Sequence, residues 1–183
     1  ARSEPDPQIQ DLIRASAGRN LGLDYLPGAT TFDPVVDNLD AALASSIVWF
    51  DALVSNVDRT ARNTNMLIWH RRPWLIDHGA AFYFHHAGED FTARAREPFA
   101  RIREHVLLPQ ASALAEVDGM LAAKLADAII APIVAAVPAS WLDPHDAAAA
   151  EAARSGYRRY LRARLEAPRA FVEEAIRART EHL

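Results

Sequence analysis

The chain has 183 residues, half of them apolar, a formal net charge of −4 and no cysteine. That length buries a substantial core without covalent staples, and the lack of thiols excludes a disulfide framework. No apolar run approaches the ~20 residues of a membrane span and no charged-then-apolar leader opens the sequence, so a cytoplasmic protein without membrane segments is expected.

In chain order, Ile9, Leu12 and Ile13 stand at helical spacing between Pro7 and Gly18, which predicts a helix over 7–17, and residues 20–34 read as a loop. From 37 to about 54, Leu39, Leu43, Ile47, Phe50 and Val54 recur every three or four positions, the stripe of a long core-facing helix. Next comes NVDRTARNTNMLIWHRRPWLIDHG, residues 56–79. Within it Met66-Leu67-Ile68-Trp69 is strand-like, His70-Arg71-Arg72-Pro73 reads as a turn and Trp74-Leu75-Ile76 as the returning strand of a hairpin.

Beyond Gly79, Phe82, Tyr83 and Phe84 read as core or loop anchors. Residues 97–107 suit a short helix ended by Pro109. Residues 110–137 carry Leu114, Val117, Leu121, Leu125, Ile129 and Ile133 on one helical face, with a kink expected near Pro132. Residues 138–144 read as a loop with Trp141 plugging the core, Asp146 as the cap of a helix to about 165, and Pro168 as the opening of a last helix ending near 179. No repeat or second domain interrupts this order, so 1–183 is expected to form one mainly α unit.

Charge is unevenly spread. Residues 1–60 hold nine acids against four Arg, whereas from 154 onward there are eight Arg and four Glu. The Arg at 154, 158, 162 and 169 alternate with Tyr157, Tyr160, Leu161 and Leu165, a wet stripe beside an apolar one, and no nucleic-acid motif accompanies them. Nucleic acid is therefore not an expected partner. Arg supplies all but one of the 20 basic residues, the exception being Lys124, a usage that suggests a GC-rich bacterial genome.

The chemistry-bearing residues lie around the hairpin. Asp58 precedes Asn63 by five positions, the spacing of a kinase catalytic loop, in which the Asp accepts the acceptor-hydroxyl proton and the Asn binds metal; Asn65 is the second candidate for that Asn. A hairpin brings Asn63 and Asp77, fourteen residues apart, to opposite sides of one metal. Mg²⁺ takes hard oxygen ligands, one or two carboxylates plus substrate phosphates, so Asn63 and Asp77 suit it. Asp58 stays off the metal and takes the proton. Arg59 and Arg62 offset the charge of phosphates or of the two Asp, and Gly79 lets the backbone turn beside Asp77. The bland reading makes Asp58 and Asn63 turn or cap residues and Asp77 a strand end. A transition-metal site from His78, His85, His86 and Asp77 is disfavoured, because adjacent His side chains diverge and no His pair has the i,i+4 spacing.

The string VSNVDRTARNTNMLIWHRRPWLIDHGAAFYFHH resembles the catalytic segment of HipA-like kinases, of the short bacterial branch, over about residues 35–90. The order of its parts is also similar to that of phosphoinositide kinases. The resemblance implies a helical protein-kinase-like C-lobe with a short β-hairpin, Asp58 as catalytic residue, Asn63 and Asp77 as Mg²⁺ ligands, and Arg59, Arg62, Asn65, His78 and Gly79 on the nucleotide side. His78 stands where many kinases have Phe. It implies ATP as phosphoryl donor and a hydroxyl acceptor, protein Ser or Thr included. It further implies an N-terminal lobe bearing a Gly-rich loop and a Lys; residues 1–32 supply neither, so a C-lobe of a longer protein is expected. A silent nucleotide-binding pseudokinase and a metal-dependent hydrolase using Asp58, Asp77 and His78 are the alternatives.

Overall fold

The computed structural model describes residues 4–22, 24–84 and 91–181. The fold is mainly helical with one small antiparallel sheet. Helix α1 (Pro7–Ala15) is followed by strand β1 (Thr30–Thr31), helix α2 (Ala41–Leu53) and the hairpin β2 (Met66–Trp69) and β3 (Arg72–Leu75). Three 3₁₀ segments, Phe91–Arg96, Ala100–Glu104 and Leu108–Gln110, lead to α3 (Leu114–Lys124), α4 (Asp127–Ala136), α5 (Ala139–Leu142), α6 (Ala147–Leu165) and α7 (Ala170–Glu181).

Helix α2 is the hub of the core. Asp40 caps it by accepting the Leu43 N–H at 2.9 Å. The helix therefore starts four residues later than its stripe suggested, and the buried face differs too. Leu43 and Phe50 are more than a third exposed, while Ala44, Ser45, Ile47, Val48, Trp49, Asp51, Ala52 and Leu53 are buried. The reason is that α2 is packed by α3, α6, α7 and two 3₁₀ segments, so a single stripe cannot describe it. Trp49 ties three of these elements together. Its indole N–H donates to Asp118 of α3 at 2.8 Å and its ring meets Phe171 of α7 edge-on at 5.5 Å. Asp118 also takes two bonds from Arg169, at 2.7 and 2.6 Å. Arg164 of α6 is buried as well and donates to the Ala52 carbonyl at 2.8 Å, a cation at the C-terminal end of α2 where the helix dipole favours one.

The helical face expected over 110–137, with a break or kink near Pro132, is divided between two helices. The chain breaks at Leu125 and Ala126, α3 and α4 are bent by 69°, and Pro132 lies inside α4 instead of at the break. The bend sends α4 onto α6, where Arg158 pairs with Asp127, and exposes Ile129 and Ile133 while burying Ile130. Residues 97–107 form 3₁₀ turns and no α-helix, and residues 138–144 contain α5. Trp141 does not plug the core; it is 48% exposed and donates to the Arg19 carbonyl at 3.0 Å. Asp146 caps α6 as expected, accepting from Ala148 and Ala149, whereas α7 opens at Ala170 instead of Pro168. The basic stripe of α6 is largely engaged: Arg154 pairs with Glu151, and Arg158 and Arg162 with Asp127. No single helix among the described residues is long and apolar enough to cross a membrane.

The sheet has the order β1-β2-β3, so β3 is an edge strand. Pro73, expected in the turn, pairs with Ile68 within β3. A two-residue turn makes Trp69 and Arg72 the bonded pair, so Pro73 falls at the next, non-bonded position and its missing N–H costs the ladder nothing. The turn residues, His70 and Arg71, have φ of 49° and 62°, the type I′ geometry that suits a twisted hairpin but disfavours side-chain-bearing residues. Replacing them with Asn and Gly (H70N/R71G) is expected to stabilise the fold by about 1 kcal/mol. A denaturant midpoint that is unchanged or lower would rule this out.

Candidate functional site

The loop after α2 is built on Asp51, whose side chain is fully buried. Its carboxylate accepts from Asn56 Nδ2 at 2.9 Å, from Arg59 Nε at 2.5 Å and from His105 Nε2 at 2.9 Å. His105 Nδ1 accepts the Leu107 N–H at 3.0 Å, so the ring hydrogen sits on Nε2 and points at Asp51. Burial alone would raise the Asp51 pKa; the bonds from His105 and Arg59 outweigh it and hold the carboxyl below its ordinary value. Asn56 in turn accepts the Asp58 N–H at 3.2 Å, which orients the loop where Asp58 emerges.

Two further ties close the loop. The Val106 N–H donates to the Arg59 carbonyl at 3.0 Å, and a tight turn joins Thr60 N to the Asn63 carbonyl at 2.9 Å. The turn folds Asn63 back on Asp58. Asn63 Nδ2 donates to Asp58 Oδ2 at 2.8 Å, and Asn65 Nδ2 donates to the same oxygen and to the Asp58 carbonyl, both at 3.1 Å. With both amide nitrogens turned onto Asp58, each asparagine presents its side-chain oxygen elsewhere. Asn65 has φ 46°, and its carbonyl accepts from Arg59 Nη1 and from the Ile76 N–H. The hairpin ladder thus runs one step past Met66 and Leu75, and Asp77 is the next residue.

Asp77 is exposed, with φ 46°, and its Oδ1 accepts the Gly79 N–H at 3.2 Å. Gly79 does not occupy the left-handed region. What it provides is clearance, because a Cβ there would stand 3.2 Å from Asp77 Oδ1. His78 lays its ring edge-on against Phe50 at 6.2 Å. Partial burial, and then the neighbouring Arg59 cation, push its pKa below the ordinary value.

The two arginines separate. Arg59 is 1% exposed and lies beneath the loop, where it supports Asp51 and Asn65 and does not face solvent. Arg62 is exposed on a groove of about 570 Å³ whose walls include Thr31, Asp33, Asn63, Asn65 and Ile76. The donors fit Mg²⁺ in kind: an exposed carboxylate on Asp77 and a free amide oxygen on Asn63, the sparse protein contribution usual where phosphates complete the shell. Among the described residues no three acidic or histidine side chains form a metal cage. His85 and His86 lie outside the described residues.

Asp51, Asn56 and His105 were not singled out from the sequence. Asp51 left one signal, a lone acid inside the apolar run IVWFDALV; His105 left none, since it joins the site from 54 residues away. Asp51→Ala is expected to cost about 3–5 kcal/mol, because Arg59 then becomes an uncompensated buried cation. The pH dependence follows from the lowered pKa: the Asp51 contribution is complete above the unfolded-state value of about 4 and is lost as pH falls through the folded-state value. Urea titrations from pH 7 to 3 check both points, and an Asp51→Ala chain as stable as the parent at pH 7 would contradict them. Comparison of the chain with protein-family models, with curated proteins and with solved structures gave no match.

Proposed function

We propose that the chain is the helical catalytic lobe of an ATP- and Mg²⁺-dependent phosphotransferase of the HipA-like kind, acting on a hydroxyl acceptor such as a protein Ser or Thr. The observation that carries this reading is the grip of Asn63 and Asn65 on one oxygen of Asp58, beside the strand end that bears Asp77. A turn or cap role would need none of this convergence.

In this reading Asp58 Oδ1, the oxygen not taken by the two asparagines, accepts the acceptor hydroxyl's proton. The hydroxyl oxygen bonds to the terminal phosphorus as the bond from phosphorus to the ADP oxygen breaks. Asn63 and Asp77 would hold Mg²⁺, which when bound neutralises charge on the phosphates. Arg62 contacts phosphate from the groove wall. Arg59 acts from below, fixing the Asn65 carbonyl and with it the spacing between the loop and Asp77. A silent nucleotide-binding module is the second reading, favoured by the chain's one lysine, Lys124, lying exposed at the end of α3 and not beside the loop.

Asp77→Ala is expected to abolish Mg²⁺-dependent ATP binding. Asp58→Ala is expected to bind ATP as the parent does, within about threefold, while losing at least 100-fold in phosphoryl transfer, the scale of general-base catalysis. Calorimetric titration with and without Mg²⁺, paired with ADP release, reads both. Both are read in the chain joined to its N-terminal lobe: binding without turnover there would support the silent module, and no Mg²⁺-dependent binding by the folded two-lobed protein would dismiss both readings.

A further inference from the structure

The side chain of His105 is buried, and its two nitrogens serve different parts of the chain. Nδ1 accepts the Leu107 N–H at 3.0 Å, a bond within its own segment. Nε2 donates to Asp51 Oδ2 at 2.9 Å, on helix α2, 54 residues earlier. The same oxygen receives Arg59 Nε, while Asn56 Nδ2 holds Oδ1. The last torsion of an Asp side chain is otherwise soft, and bonds to both oxygens fix it.

We propose that His105 is a positioning residue of the candidate site: by fixing the Asp51 carboxylate it sets where Asp58 and Asn65 stand. The inference rests on the reading of Asp58 as proton acceptor. Two routes lead from the carboxylate to Asp58. One passes through Asn56, whose Oδ1 accepts the Asp58 N–H at 3.2 Å. The other passes through Arg59, clamped between Asp51 and the Asn65 carbonyl, and Asn65 Nδ2 then holds Asp58 Oδ2 at 3.1 Å. Among the described residues His105 has no side-chain bond to Asp58, Asn63 or Asp77, so it acts through Asp51.

The backbone around His105 is held independently of its ring. The Val106 N–H donates to the Arg59 carbonyl at 3.0 Å, and Thr60 forms a bridge with His105. Substitution can therefore separate the two nitrogens while these ties persist. Glutamine carries its amide nitrogen at the reach of Nε2, so it keeps a donor for Asp51 and gives up the Leu107 bond. Asparagine carries its amide oxygen at the reach of Nδ1, so it keeps the Leu107 bond and gives up Asp51. Each variant loses one buried bond, and a purely structural role would make both fail alike.

Hydrogen exchange of the Asn65 side-chain amide, followed by heteronuclear NMR in the chain itself, tests the placement. Phosphoryl transfer in the protein joined to its N-terminal lobe tests the consequence. His105→Asn is expected to speed the exchange about threefold or more and to cut transfer on the order of 100-fold, the cost of a displacement of about 1 Å, with ATP binding unchanged. His105→Gln is expected to rescue both readouts. Parent-like exchange in His105→Asn, or losses in His105→Gln as large as in His105→Asn, would overturn the proposal. So would ring nitrogen shifts in the parent that place the hydrogen on Nδ1, a measurement that decides even where His105→Asn does not fold. A parent without transfer would overturn the role of Asp58, and the exchange comparison would still decide whether His105 places it.

Discussion

The carboxylate of Asp51 receives a guanidinium from the loop that follows α2, an amide from the same loop and an imidazole from beyond the hairpin. Taking an ion pair out of water is costly, and hydrogen bonds to the remaining lone pairs are what make the burial tolerable. The arrangement therefore trades stability for position: a hydrophobic replacement of the whole set could hold the core, but it would not aim Asp58. The fixed end of α2, the Asn56 side chain and the Asn65 carbonyl are all referred to this one carboxylate.

That dependence explains why part of the molecule was legible in the sequence and part was not. The contact of Asn63 with Asp58 is announced by their local spacing, and the hairpin by two apolar runs around a turn. Asp146 as a cap and the apolar side of α6 follow from local rules in the same way. What failed is what depends on distant neighbours. Leu43 and Phe50 were assigned to the core because they match a stripe, yet α2 is surrounded, and with little solvent face the periodicity loses its meaning. The break before α4 has no proline or glycine to mark it; Pro132, the residue that looked like a breaker, is carried within the helix. From its place beside Asp58, Arg59 reads as offsetting phosphates or the two Asp of the motif, and only the partner waiting at Asp51 turns it inward.

The two halves of the molecule are held by different physics. Around α2, α3 and α7 the ties are buried and directional, as in the Trp49–Asp118–Arg169 set. The α4–α6 side relies more on exposed pairs such as Arg158–Asp127, each worth little in water. Directional ties are thus concentrated where the loop is anchored, as a preorganised site requires.

Six described residues that are not glycine bend the chain into the left-handed region between the end of α2 and the residues beyond the hairpin: Ser55, Asn65, His70, Arg71, Asp77 and Phe82. Each is a place where glycine would relax the backbone and a β-branched residue would aggravate it. Selection for fold stability alone would drift toward glycine at these positions, above all at Asn65 and Asp77, whose side chains contribute little to the core. On the proposed function, a variant of this chain with glycine at Asn65 or Asp77 would gain an easier backbone and lose the groups on which that reading depends.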